Sequence, residues 1–450
     1  NSSANNNERI WSNQVSDNGT IHSLGNGKML VYEQGPQIIK VYPGPYTSPS
    51  LYKFLLEDDK RIRVKSSRQQ GTAIWNHEVE SGNQALGKIT DFVDSELPVM
   101  IRHMSLNASL TFRLELTSDI VVLENRNPSV ERKSIILRTK PGALIYQNYV
   151  YPDPVYHEIR IEGEGKIEKS ENESNVFYLT CMKGEVDILL ISGPDYSQVM
   201  RNREEVIKSG NAALLNRTKH WWNTYTEKRH DFQNKFPDDL PLHKELLQII
   251  DDVAVMMRTQ QASEGAVMAG YPYPLGYVRD QYGVSRGYLK MGYYEEAKNI
   301  LQFYWEVWRK TGKLHCAQGI GVDGIFHIHE NDEVESPGYL ILQAFDLLGK
   351  TGDQAFIESL FPMLEWCWEV QKKHLAGNML PFNGDETYVA GGILPRSALN
   401  DGSSEATLLF IEGGERLIKW IKENEKWTTD KIHSEKEILE TVKNDFRKNF

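Results

Sequence analysis

Between residues 28 and 192 the apolar positions follow a two-residue period or fall in short continuous runs. Residues 109–124 alternate cleanly: Leu110, Phe112, Leu114 and Leu116 share one face, and Thr111, Arg113 and Glu115 the other. That is the period of a half-buried strand. The runs 29–32, 38–42, 134–138, 143–146, 157–162, 176–180 and 186–191 continue the theme, with Gly, Pro and Asn between them. About ten short strands with turn signals and no helical period predict an antiparallel β-sandwich over residues 1–192. Residues 1–27 are rich in Asn, Ser and Gly and are expected to be loosely structured.

The period changes at Gly193-Pro194-Asp195. Residues 196–232 are polar and helical, with Trp221 and Trp222 as anchors, and a turn at 236–241 follows, so 193–240 reads as a helical linker. From residue 241 the pattern is helical. Leu246, Ile249, Ile250, Val253 and Met256 or Met257 form one stripe. Further helices are predicted over 280–291, 294–309, 338–348, 354–372, 403–422 and 430–447, about seven in all. Short connections alternate with three long ones, 258–278, 311–337 and 373–402. Structureless loops of that length in a compact domain are usually functional. Falling on alternate connections, they belong at one end of a bundle of antiparallel helices.

Composition adds limits. A chain of 450 residues is expected to hold two or three domains, and 40% apolar with 25% charged residues is ordinary for a globular protein. The net charge of -11 argues against nucleic acid and anionic membrane surfaces as partners. No apolar run approaches the roughly 20 residues that span a bilayer. Cys181, Cys316 and Cys367 are too far apart to suggest a disulfide framework or a metal knuckle, and read as buried free thiols. The compartment stays open.

The chemistry concentrates in the third long loop, where Asn383, Asp385, Glu386, Tyr388 and Arg396 lie among Gly, Pro and aromatic residues. Two adjacent carboxylates near Phe382 and Tyr388 suit a general acid: partial desolvation and a like neighbour raise one pKa until the group holds its proton. The competing reading is a solvated Gly-Asp turn. Either acid fits on chemistry alone. Arg279-Asp280 sits where the first long loop meets a helix. It is either a helix-start acid beside a cation or a clamp that donates to, and accepts from, two hydroxyls of one sugar ring. Glu405 lies in the first turn of a later helix and reads as a capping and dipole residue. His327, His329, Glu330, Asp332 and Glu333 form a polar loop that lines a cleft rather than a metal site, since no spacing supplies a further ligand. No metal and no cofactor are expected. Gly319 to Gly324 matches GxGxxG literally, but without a helix starting in it this is a glycine-rich turn. GxSxG, P-loop and HExxH motifs are absent.

A β-rich first domain, a helical linker and antiparallel helix hairpins with long loops at one end resemble the six-hairpin glycosidases, the group of glucoamylases and maltose phosphorylases. Tyr277-Val278-Arg279-Asp280, followed by Gly287-Tyr288-Leu289-Lys290-Met291-Gly292-Tyr293-Tyr294, resembles the glucoamylase segment in which an Arg-Asp pair grips the terminal glucose. Thr351-Gly352-Asp353 resembles a helix junction of these enzymes. Gly384-Asp385-Glu386-Thr387-Tyr388 resembles the Gly-Pro-Asp-Glu-Tyr stretch of the maltose phosphorylases, without its proline.

The resemblance implies a super-sandwich followed by an (α/α)6-type catalytic barrel beginning in residues 241–450. It assigns the general acid to Glu386, with Arg279, Asp280, Asn383, Asp385, Tyr388 and Arg396 around an α-linked glucoside or related oligosaccharide. About seven helices fall short of the twelve such a barrel has. The barrel is therefore expected to be incomplete in this chain, with a second polypeptide or a missing C-terminal segment completing it and supplying the base. The expected activity is glycoside hydrolysis, by inversion. A disaccharide phosphorylase and a non-catalytic carbohydrate-binding protein are the alternatives.

Overall fold

The computed structural model describes residues 10–14, 20–57, 62–123, 133–146, 149–271, 273–327, 332–381 and 402–450. The chain forms two compact units. One comprises Asn1–Ser263, Gly270–Pro274 and Ile320–Val322, the other Glu264–Ala269, Leu275–Gly319 and Asp323–Phe450.

In the first unit, two antiparallel sheets share a core among the described residues. A nine-stranded sheet runs in the order Ile10–Gln14, Ile62–Arg68, Trp75–Ser81, Gln84–Val93, Val99–Leu106, Gly184–Gly193, Tyr156–Glu162, Ser134–Thr139, Ile120–Val122. A seven-stranded sheet runs Gly165–Lys169, Val176–Cys181, Leu110–Leu116, Tyr52–Leu56, Gln37–Tyr42, Leu30–Gln34, Ile21–Gly25. The alternating Leu110, Phe112, Leu114 and Leu116 all point into this core. The continuous run in Gly184–Gly193 has a different cause, because both its faces are covered. Val186, Ile188 and Leu190 enter the core between the sheets, while Leu189 and Ile191 enter a second cluster with Val199, Val206 and Leu214. Those last three lie on helices α1 (Tyr196–Ser209) and α2 (Asn211–Glu227), which cover the outer face of the nine-stranded sheet.

The first residues differ from expectation. Ile10–Gln14 and Ile21–Gly25 are strands, paired with Ile62–Arg68 and Leu30–Gln34. At a sheet edge, backbone pairing with one neighbour defines a strand even where side chains carry little pattern. Helix α3 (His243–Thr259) is joined to this unit: Arg68 donates to both Asp251 and Asp252, at 2.5 and 2.6 Å, and the Tyr225 hydroxyl donates to the Ala254 carbonyl.

The second unit is built of helix hairpins. They are α4 (Val278–Met291) with α5 (Tyr294–Thr311), α6 (Ser336–Thr351) with α7 (Gln354–Lys373), and α8 (Ser404–Glu423) with α9 (Thr429–Asn449). Two-residue links at 292–293 and 352–353 force the first two pairs antiparallel. Helix α6 packs on α4 and on α8, so the first helices of the hairpins form one layer. Trp368 of α7 stacks on Phe410 of α8 with ring centroids 4.5 Å apart. Gly414 is open for that indole: a Cβ there would lie 2.5 Å from Trp368. With α3, seven helices follow residue 240 among the described residues. This is the expected class: an antiparallel sandwich followed by a helical region of the (α/α) hairpin type.

Candidate functional site

Each long connection ends where one of α4, α6 or α8 begins, and side chains tie these helix starts together. Arg279, in the first turn of α4, donates to Glu335 at the N-cap of α6 over 3.4 Å. Tyr339, in the first turn of α6, donates its hydroxyl to the Glu405 carboxylate in the first turn of α8. The Tyr282 and Tyr339 rings meet at 5.2 Å. The first two long connections meet in a small sheet of Gly276–Tyr277, Ala317–Gln318 and Phe326–His327. The segment from Gly319 to Gly324 is the turn inside that sheet, with no helix starting in it.

Residues 332–335 act as a hub. Asp332 accepts from the His315 imidazole at 2.7 Å and from the Cys316 amide. Glu333 meets His374 at the end of α7, 2.8 Å away. The Val334 carbonyl accepts from Gln371. Glu335 takes Arg279. The sequence suggests Asp332 and Glu333 as cleft lining; their partners lie 16 to 41 residues away, beyond any local pattern. The Nε2 of His315 is buried with no hydrogen-bond partner among the described residues.

Asp280 does not cap its helix. The N-cap of α4 is Tyr277, and no side chain closes that end. Asp280 is exposed, with protein atoms packed near its carboxyl. Lost hydration pushes its pKa up, and the adjacent Arg279 guanidinium acts in the opposite direction. No side-chain partner holds the Asp280 carboxylate among the described residues. Tyr304 lies close behind it, buried, with its pKa raised first by burial and then by the Asp280 charge. Burial also raises the Tyr339 phenol, helped by the hydrogen bond to Glu405 and the charge of Glu335.

Glu405 lies in the first turn of α8, as expected, but the cap is Ser403, whose side chain accepts from the Ala406 amide at 3.1 Å, while the Glu405 carboxylate accepts from Tyr339. The third long connection is closed at its base. The Ser403 amide donates to Leu380 at 2.8 Å, and the Leu380 amide donates to Thr407 at 3.0 Å. Asn383, Asp385, Glu386, Tyr388 and Arg396 lie outside the described residues, as do His329 and Glu330. The site's described parts are thus Arg279, Asp280, Glu335, Tyr339 and Glu405.

No protein-family model matches the chain, and no curated protein sequence matches it. Solved structures do. A bacterial glucoamylase complexed with acarbose superposes with a TM-score of 0.64 at 12% identity, covering 97% of this chain and 70% of that one. An inverting mannosidase from Bacteroides thetaiotaomicron gives 0.49 at 12% identity, covering 94% of this chain and 62% of the mannosidase. An α-mannosidase from the same organism, complexed with mannoimidazole, gives 0.48 at 8%, covering 93% and 56%. The chain has the fold of the six-hairpin glycosidases. At these identities the likeness is one of fold, and the chain spans only part of the length of each of these proteins.

Proposed function

We propose that the helical unit carries a glycoside hydrolase site at the starts of α4, α6 and α8. The observation that carries this reading is the convergence of Arg279, Asp280, Glu335, Tyr339 and Glu405 there, in a chain with the fold of a glucoamylase that binds acarbose. Arg279 and Asp280 supply a donor and an acceptor side by side, the pairing that two neighbouring hydroxyls of one sugar ring require. Tyr282 and Tyr339 add aromatic surface suited to a pyranose face.

In this reading Glu386 is the general acid that protonates the leaving glycosidic oxygen. Asn383, Asp385, Tyr388 and Arg396 line the cleft beside it. A second carboxylate activates water on the opposite face of the ring, and inversion places the two carboxyls about 6.5–9.5 Å apart. The substrate is an α-linked glucoside or a related oligosaccharide, and the domain of residues 241–450 is the first part of an (α/α)6 catalytic barrel.

The test is Glu386→Gln, assayed on a panel of α-glucosides with and without inorganic phosphate. Turnover should fall by roughly 10²–10⁴-fold, the usual contribution of a general acid to such a step, with the thermal midpoint unchanged. Activity within a few-fold of the parent would reject Glu386. Strict phosphate dependence would replace hydrolysis by phosphorolysis.

A further inference from the structure

The core of the sandwich holds a group of charged and titratable side chains, four of them fully buried. Ile21–Gly25 contributes His22 and Leu30–Gln34 contributes Glu33, both from the seven-stranded sheet. Trp75–Ser81, Gln84–Val93 and Val99–Leu106 contribute His77, Asp91 and Arg102 from the nine-stranded sheet. Glu33, His77 and Asp91 are 0% exposed and Arg102 is 1% exposed. Arg102 grips Asp91 with both Nε (2.9 Å) and Nη2 (2.7 Å), and Nη2 also reaches the Pro36 carbonyl and Glu33 Oε1 at 3.4 Å. His77 Nε2 lies 3.2 Å from Asp91 Oδ2 and 3.8 Å from Glu33 Oε2, while its Nδ1 is fixed by the Ser66 hydroxyl at 2.7 Å. His22 Nε2 lies 2.9 Å from Glu33 Oε2, and its ring stacks on Trp75 at 3.7 Å.

Two buried carboxylates face one guanidinium. Left so, the cluster carries one uncompensated negative charge in a dry interior, which is strongly unfavourable. One more positive charge makes it neutral. The two imidazoles are 6.3 Å apart, so a proton on each would repel the other. His77 Nε2 lies within 4 Å of both carboxylates, whereas the close contact of His22 is with Glu33, which makes His77 the better place for a single proton. We propose that His77 is held as an imidazolium that the sandwich takes up on folding, locking the two sheets together through Asp91, Glu33 and Arg102.

Among the described residues, the groups that face His77 are His22, Glu33, Ser66, Asp91 and Arg102, with Cys181 behind Arg102. Burial alone would lower the His77 pKa, but the neighbouring Asp91 and Glu33 carboxylates, 3.2 and 3.8 Å from its Nε2, outweigh it, and the net direction is upward. Burial pushes the His22 imidazole the other way, below its ordinary value, against the pull of Glu33. For a base with a raised folded pKa, the stabilisation is complete below the ordinary imidazole value. It is lost as pH climbs through the raised value, because folding there must either keep the proton or bury an unpaired charge.

The experiment compares the parent with His77→Gln, which keeps polarity and removes the charge, across pH 5 to 9. The parent midpoint should fall by roughly 3–5 °C per pH unit within the titration window. The variant should melt lower on the acid side and converge with the parent on the alkaline side. Parallel profiles would overturn the proposal. If the variant fails to fold, nitrogen-15 chemical shifts of the parent decide: His77 should show an imidazolium at pH 7, and a neutral ring there would overturn it. Stoichiometric metal in the purified parent, with a midpoint lowered by chelator, would also overturn it by supplying the missing charge another way.

Discussion

In the sandwich, Glu33 and Asp91 are fully buried, and each faces a guanidinium, an imidazole or both. At the mouth of the helical unit, Asp280 meets water with no side chain holding it among the described residues, and Glu405 meets water with one hydrogen bond to a phenol. Both groups are carboxylates near arginines, yet they are handled in opposite ways. The buried pair is neutralised, and Asp91 is kept well below the ordinary carboxylate range: Arg102 and His77 outweigh the burial that would raise it. Asp280 is pushed upward by lost hydration, with the Arg279 charge acting against it, and no side chain among the described residues holds it. A carboxylate with every partner in place holds a structure together, whereas one with an unmet hydrogen-bonding capacity can be met by a ligand. That difference, more than the residue type, separates the lock from the candidate site.

Substitutions can break this contrast. Arg102→Met should be the most damaging, because it leaves two buried carboxylates without their guanidinium. A loss of about 3–5 kcal/mol is expected, read as a lowered denaturant midpoint. If that variant melts like the parent, the sandwich carboxylates are not charged. Ser403→Ala removes the cap of α8 beside the mouth and should cost about 1 kcal/mol. It should also loosen the base at Leu380, visible as faster amide exchange there. Asp280→Asn should have the smallest effect on stability, within about 0.5 kcal/mol, while weakening sugar binding. Its sign is informative. A carboxyl whose folded pKa is raised destabilises the fold once pH passes its ordinary value, so the amide should be equal to or slightly more stable than the parent at pH 7. The gap should close as pH falls below the carboxylate range. A clear loss of stability at pH 7 would mean that Asp280 has a structural partner.

Much of the architecture could be read locally. Helices α3 to α9 lie within a few residues of the periodic stretches, since an apolar stripe every three to four residues needs no distant information. Alternation over Leu110–Leu116 gives both the strand and its buried face. Ser403 as the cap of α8 was missed in favour of Glu405, although a serine three residues before the Ala406 amide it caps is a local signal. Pairings of charge were not readable. Arg102 and Glu33 are 69 positions apart, and Arg279 and Glu335 are 56 apart.

The chain's own pattern therefore determined where strands end and helices begin, the alternation of long and short connections, and the grouping of Arg279 with Asp280. Those features follow from backbone periods and turn chemistry, which act over a few residues. Tertiary structure alone decided which carboxylates are neutralised and which stay open. It placed His77 between Asp91 and Glu33, and it brought Tyr339 to Glu405. Whether a charge is paired depends on side chains delivered from other strands and helices, and on whether water has been excluded around it. Neither is encoded in any short stretch of the chain.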